Sequence, residues 1–146
     1  MHPSEYLEVS HFLLDNLKKP GGVRSAVSRA YYAAFQTACQ FLENLSIHVP
    51  ASSGHGEVRN GLGNSGDVEL AQAGSSLGTL QSKRIDADYR LNNVPIENAA
   101  NAWERVHEAE DVILAITKCK KESARAAIVG NTIKAWRDKI EKGIPQ

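Results

Sequence analysis

Apolar residues recur every three or four positions along most of the chain, and almost no window alternates apolar with polar residues over strand length. That period predicts an all-α protein. The first helix is expected to begin near Ser4, a residue type that caps helix N-termini, and to carry Tyr6, Val9, Leu13 and Leu17 on one stripe until Lys18-Lys19-Pro20-Gly21-Gly22 ends it. A second is expected from about Val23 to Leu45, roughly 35 Å long at 1.5 Å per residue. Its core-facing stripe is Val27, Ala30, Ala34, Ala38, Phe41 and Leu45, and its alanines allow a neighbouring helix to approach closely. Ser46 to Gly56 reads as a loop, and Glu57 to Leu62 as a short helix before the breakers Gly61, Gly63, Asn64, Ser65 and Gly66. Asp67 is the expected N-cap of a third long helix, with Leu70, Ala73, Leu77, Leu80, Arg84, Ala87 and Leu91 on its inner face. After Asn92-Asn93-Val94, Pro95 suits the first turn of a fourth, carried by Ile96, Ala99, Trp103, Val106, Ile113 and Ile116. Ser123 to Ile140 forms a last segment with Ala124, Ala127, Ile128, Trp136 and Ile140 on one side and Gly130 as a weak point. Helices joined by such turns predict an up-and-down antiparallel bundle of four to five helices.

A length of 146 residues, 42% of them hydrophobic, is that of one domain spanning 1–146. A chain of this size buries about 68–70% of its unfolded surface, enough for a core without disulfides or a structural metal. The two cysteines, Cys39 and Cys119, each lie inside a helical pattern and are expected to be reduced thiols. No run of about 18 apolar residues occurs, and Pro3, Glu5 and Glu8 stand where a signal peptide has a basic start and an apolar stretch. The expectation is a cytoplasmic protein with no membrane partner.

The net charge of zero conceals an asymmetry. Lys118 to Lys142 holds eight basic residues against three acidic ones, a net +5 balanced by −5 elsewhere. The chain is therefore expected to end in a basic helical extension from about residue 121. Such a segment either meets phosphates or an acidic partner, or is a solvated helix face.

One charge interrupts the inner stripe of the third long helix. Arg84 and Asp88 are spaced i,i+4, so they meet on one face, with Tyr89 and Arg90 beside them. A guanidinium held there suits a phosphate or the charge of a phosphodiester transition state, oriented by Asp88; the plainer reading is an internal ion pair that specifies packing. Arg29, Tyr32 and Gln36 form a polar stripe on the second helix that offers a further wall to the same cleft, while Tyr31, about 100° away, is expected to fill the core. His55, between Gly54 and Gly56 and near His48, is expected on an accessible loop, titrating near neutrality, either as a general acid or base or as a cap for a helix end. No spacing of His, Cys or carboxylates suits a metal, and no glycine motif suits a nucleotide phosphate, so no metal and no cofactor are expected.

Three motifs stand in order: Ser28-Arg29-Ala30-Tyr31-Tyr32-Ala33-Ala34-Phe35, Gly54-His55-Gly56-Glu57-Val58, and Arg84-Ile85-Asp86-Ala87-Asp88-Tyr89. Together they resemble the HEPN superfamily, the higher eukaryote and prokaryote nucleotide-binding domain, in its small prokaryotic branch. The resemblance covers about Tyr6 to Ile116. It implies a four- or five-helix bundle, a homodimer, and an RNA or nucleotide site near the dimer cleft. It implies for this chain a binding set of Arg29, Tyr32, Arg84, Asp88 and Tyr89, and a role in a prokaryotic toxin–antitoxin or defence system with a small nucleotidyltransferase or antitoxin as partner. Many members are metal-independent endoribonucleases that carry a histidine four to six residues after an arginine; no arginine here has that spacing. Cleavage would then fall to His55 as proton donor or acceptor with Arg84 and Arg29 stabilising phosphate. Two other functions stand beside this one. The first is a non-catalytic interaction module in which Trp103, Trp136 and the alanine-rich faces pack against a partner. The second is a regulator whose basic tail grips an acidic partner.

Overall fold

The helical period is realised as α1 (Ser4–Asn16), α2 (Pro20–Asn44), α3 (Gly54–Gly63), α4 (Val68–Tyr89), α5 (Ala99–Lys121) and α6 (Ser123–Glu141), with a 3-10 turn at Val94–Glu97. These come from a computed structural model that describes residues 1–143; residues 144–146, the end of the expected domain, lie outside the described residues. There is no strand among the described residues, and the protein is an all-α helical bundle. None of its described helices is long and apolar enough to cross a membrane.

Helix α2 is the centre of the molecule, packed against α1, α4 and α5. Ala26, Ala30, Ala33, Ala34 and Ala38 are all fully buried, so the alanine-rich surface is used inside the bundle rather than offered to a partner. Trp103 and Trp136 are likewise half-buried against the core. Leu42, Leu62, Leu70 and Leu80 are completely enclosed, each worth about 1.5–3 kcal/mol of burial. Cys39 and Cys119 are buried free thiols, and burial pushes the Cys39 thiol up to about 12, which keeps it protonated and inert.

Several helix boundaries and faces differ from the periodicity reading, each for a local reason. Ser4 is not the cap of α1: Pro3 holds that position without a side-chain cap, and the Glu5 carboxylate accepts instead from the His2 backbone N–H at 2.8 Å. The buried face of α1 is Ser10 and Leu14, while Val9 and Leu17 are exposed. Its crossing with α2 is tight at Ser10, whose hydroxyl donates to the Ala26 carbonyl at 2.7 Å. Helix α2 begins at Pro20, where a missing N–H is harmless. Gly22 then has to be bare, because a Cβ there would run into the Leu17 carbonyl oxygen.

Helix α4 has the expected inner face from Leu70 to Ala87, and the Asp67 carboxylate accepts from the Leu70 N–H at 3.0 Å as its cap. Leu91 lies past its end and is exposed. Arg24, buried on α2, closes that end: its Nη1 donates to the carbonyls of Asp86, Ala87 and Arg90, its Nη2 to those of Leu91 and Asn93, and its Nε to Glu97. The carbonyls a helix terminus leaves open are thereby met. Pro95 falls in the 3-10 turn, and α5 starts at Ala99 because Asn98 caps it, accepting from the Asn101 N–H.

The basic C-terminal segment is docked. Val129, Gly130 and Ile133 face inward, with the Leu45 side chain against Gly130, whereas Ile128 and Ile140 of the expected stripe are exposed. Arg125 donates from Nε and Nη2 to the two oxygens of Asp67, at 2.6 and 2.9 Å. Arg137 donates to the His48 carbonyl and to Glu57. Lys118 and Lys142 face Glu69 and Asp138, so much of the apparent positive patch is neutralised within the molecule.

Candidate functional site

Three helices bring the singled-out residues to one place. On α2, Tyr31 and Tyr32 lie three and four residues after Ser28, and Phe35 lies four and three after them, so one side of the helix is polar at its start and aromatic further on. The inner stripe of α4 delivers Arg84 opposite them, with Asp88 one turn later and Tyr89 beside it. Helix α1 adds Tyr6.

Cations and rings alternate across the cluster. The Arg29 guanidinium lies over Tyr6 and Tyr32 at 5.5 and 5.2 Å from the ring centroids. Arg84 lies over Tyr31, Tyr32 and Tyr89 at 5.5, 5.7 and 5.9 Å. The Ser28 hydroxyl donates to Asp88 Oδ2 at 3.1 Å and accepts a long bond from Arg29 Nη2. Gln36, on the half-buried side of α2 one turn beyond Tyr32, adds nothing to these ring and ion contacts.

Arg84 is the anomaly. Only 8% of the residue is exposed, its Nε is buried without a hydrogen-bond partner among the described residues, and its Nη1 stands 3.9 Å from Asp88 Oδ2, beyond hydrogen-bond reach. A buried guanidinium normally finds acceptors for its five N–H groups, as Arg24 does with six. Arg84 has aromatic faces instead, and one carboxylate, that of the exposed Asp88, at a distance. The expected Arg84–Asp88 pair shares one face of α4, but as a loose contact.

His55 is placed otherwise than expected. It sits in the first turn of α3, not on a loop, and its ring stacks on Phe35 at 4.3 Å and on Tyr31 at 5.7 Å. The Tyr31 hydroxyl and His55 Nδ1 share a hydrogen bond, donated by the hydroxyl when the imidazole proton is on Nε2. Partial burial, and then the nearby Arg84 charge, lower the His55 pKa, so the neutral imidazole is favoured over the cation relative to a free histidine. Burial raises the Tyr31 pKa, leaving a neutral phenol. Tyr31 fills the core as expected, yet it also links His55 on one side to Arg84 on the other.

The structure thus gathers Arg29, Tyr32, Arg84, Asp88, Tyr89 and, through Tyr31, His55. Ser28, Tyr6 and the linking role of Tyr31 escape the sequence reading. Ser28 had a signal, four residues before Tyr32 on the same stripe; Tyr6 had none, because its place depends on how α1 crosses α2. An open depression of about 680 Å³, lined by Tyr89, Arg90, Leu91, Asn92 and Asn93, adjoins the cluster at Tyr89. Among the described residues no group of three or more His, Cys, Asp or Glu is arranged to hold a metal ion. No family model, curated protein or solved structure matches the chain.

Proposed function

We propose that the chain is a HEPN-like protein that binds RNA or a nucleotide, with a phosphate received by Arg84. The observation that carries this reading is the Arg84 guanidinium, surrounded by three tyrosine rings and with its buried Nε lacking an acceptor among the described residues. A phosphate oxygen is the acceptor that planar fork fits best, and Tyr32 and Tyr89 are faces on which bases stack. Arg29, over Tyr32, is the second phosphate contact. The biological role proposed is that of a homodimeric, cytoplasmic component of a prokaryotic toxin–antitoxin or defence system, with a small nucleotidyltransferase or antitoxin as partner.

Where cleavage accompanies binding, the RNA 2′-hydroxyl is the nucleophile. His55 in its neutral form, with its Nδ1–H donated to Tyr31, takes the hydroxyl proton at Nε2; the 2′-oxygen attacks phosphorus, the P–O5′ bond breaks to leave a 2′,3′-cyclic phosphate, and the 5′-oxygen takes a proton from water. Arg84 and Arg29 stabilise the charge gathered on the phosphoryl oxygens. A second reading, a non-catalytic interaction module, is favoured by the apolar residues Leu91 and Val94, 74% and 66% exposed close to Tyr89 in the chain.

The test is incubation of the protein with labelled single-stranded RNA in chelator, beside folded Arg84→Met and His55→Ala variants. Retardation of RNA by the parent, weakened about tenfold or more by Arg84→Met, supports binding. Cleavage lost in both variants adds the nuclease, and RNA neither retarded nor cut transfers the function to the interaction module.

A further inference from the structure

Asp88 is a conspicuous choice beside a phosphate-binding arginine, because a carboxylate at the edge of such a site repels the anion it is meant to admit. Its surroundings give it a use. One oxygen, Oδ2, already accepts the Ser28 hydroxyl and lies 3.9 Å from Arg84 Nη1, so the carboxylate is held in place without being neutralised by a hydrogen-bonded ion pair. The other, Oδ1, accepts no hydrogen bond from the described residues, and Asp88 is exposed, so this oxygen has capacity for a ligand. A donor and an acceptor therefore stand side by side, Arg84 offering N–H groups and Asp88 a lone pair.

A ribonucleotide carries the complementary pair. Its 2′-hydroxyl, a donor, is on the carbon next to the one that bears the 3′-phosphate, an acceptor. Resting on the RNA- or nucleotide-binding reading above, without its cleavage step, we infer that Asp88 selects ribose over deoxyribose, its carboxylate accepting from the 2′-hydroxyl of the nucleotide whose phosphate is held by Arg84. DNA presents the phosphate without the donor, leaving the carboxylate facing an anion with nothing between them. The 2′-hydroxyl is what distinguishes the two polymers at a given site, and a hydrogen bond to a charged acceptor is strong enough for a tenfold or larger preference. Ser28 is a positioning residue in this arrangement, fixing which oxygen of Asp88 remains open.

The experiment compares binding of single-stranded RNA, DNA and 2′-O-methyl RNA of one sequence to the whole protein by fluorescence anisotropy in chelator, with Asp88→Ala alongside after its fold is checked by circular dichroism. The parent is expected to bind RNA at least tenfold more tightly than either 2′-modified strand. In Asp88→Ala the ratio collapses towards one, whatever the loss of a negative charge does to the absolute affinities. Equal binding of RNA and DNA by the parent overturns the inference and leaves phosphate binding by Arg84 standing, as does a preference that survives in Asp88→Ala. Binding to none of the three strands overturns the underlying reading itself. If Asp88→Ala does not fold, Asp88→Asn, which keeps the shape and loses the charged acceptor, takes its place, a fallen RNA preference supporting the inference and an unchanged one overturning it.

Discussion

Arg24 and Arg84 lie in the same bundle, both under a tenth exposed, and their surroundings assign them opposite roles. Arg24 meets five backbone carbonyls and the Glu97 carboxylate, so Arg24→Met is expected to lose about 3–5 kcal/mol in urea unfolding by stranding those acceptors. Arg84 strands nothing when removed except the partly open Asp88, and gives up only its contacts with the tyrosine faces. Arg84→Met is expected to change stability by no more than about 1–2 kcal/mol. A loss as large as that of Arg24→Met would make Arg84 a packing residue and remove the ground for phosphate binding. His55 supplies a second residue-level expectation. Its pKa is lowered by burial and by Arg84, so its NMR titration should have a midpoint below the ordinary value of about 6.5, and Arg84→Met should move that midpoint upward. Because the unfolded chain binds the proton more readily, this group leaves stability intact above about 6.5 and removes it as pH falls through the lowered value.

At the scale of elements, the turn between α1 and α2 is the point of least tolerance. Gly22→Ala drives a Cβ into the Leu17 carbonyl and to 2.8 Å from its side chain, a clash that moves backbone and is expected to cost about 1–3 kcal/mol or more. Gly21, one residue earlier in the same helix, has open space for 4 Å around the position a methyl would take, so Gly21→Ala should show no such loss in thermal melting. Equal effects at the two positions would mean that helix propensity, and not the close approach, governs this turn. Asp67 joins two elements, capping α4 while accepting from Nε and Nη2 of Arg125 on α6. The Arg125 hydrogen bond holds its carboxyl below the ordinary aspartate range, so its contribution is present above that range and disappears as pH falls through the lowered pKa.

For the whole molecule, the question is which positive charges meet a polyanion. Sequence alone directs attention to the C-terminal segment and its net +5, but Arg125, Arg137, Lys118 and Lys142 are matched to carboxylates in the fold. The cluster on α2 and α4 supplies two arginines, and for single strands each neutralised phosphate contributes about −0.7 to the slope of log K against log salt. Binding through Arg29 and Arg84 is therefore expected to show a slope of about −1.4, and binding through the tail lysines not so matched, Lys120, Lys121, Lys134 and Lys139, about −2.8. The steeper slope, or its loss on changing Lys134 and Lys139 to Gln, would place RNA on α6 and away from the tyrosine cluster.

The sequence by itself determined the helical class, the inner faces of α2 and α4, and the cap at Asp67, since each depends on spacing within one segment. It also marked Arg84, because a charge on an apolar stripe is visible in one dimension. Which way α1 and α6 turn depended on the crossing at Ser10 and on Leu45 over Gly130, contacts between residues far apart in the chain. For the same reason only tertiary structure put His55 in a helix against Phe35 and Tyr31 and lowered its pKa, brought Tyr6 to Arg29, and matched the basic tail to its carboxylates. Two buried arginines look alike in a sequence; the fold alone decided that one would be saturated with carbonyls and the other left with an unfilled guanidinium, because hydrogen-bond partners are supplied by neighbours in space.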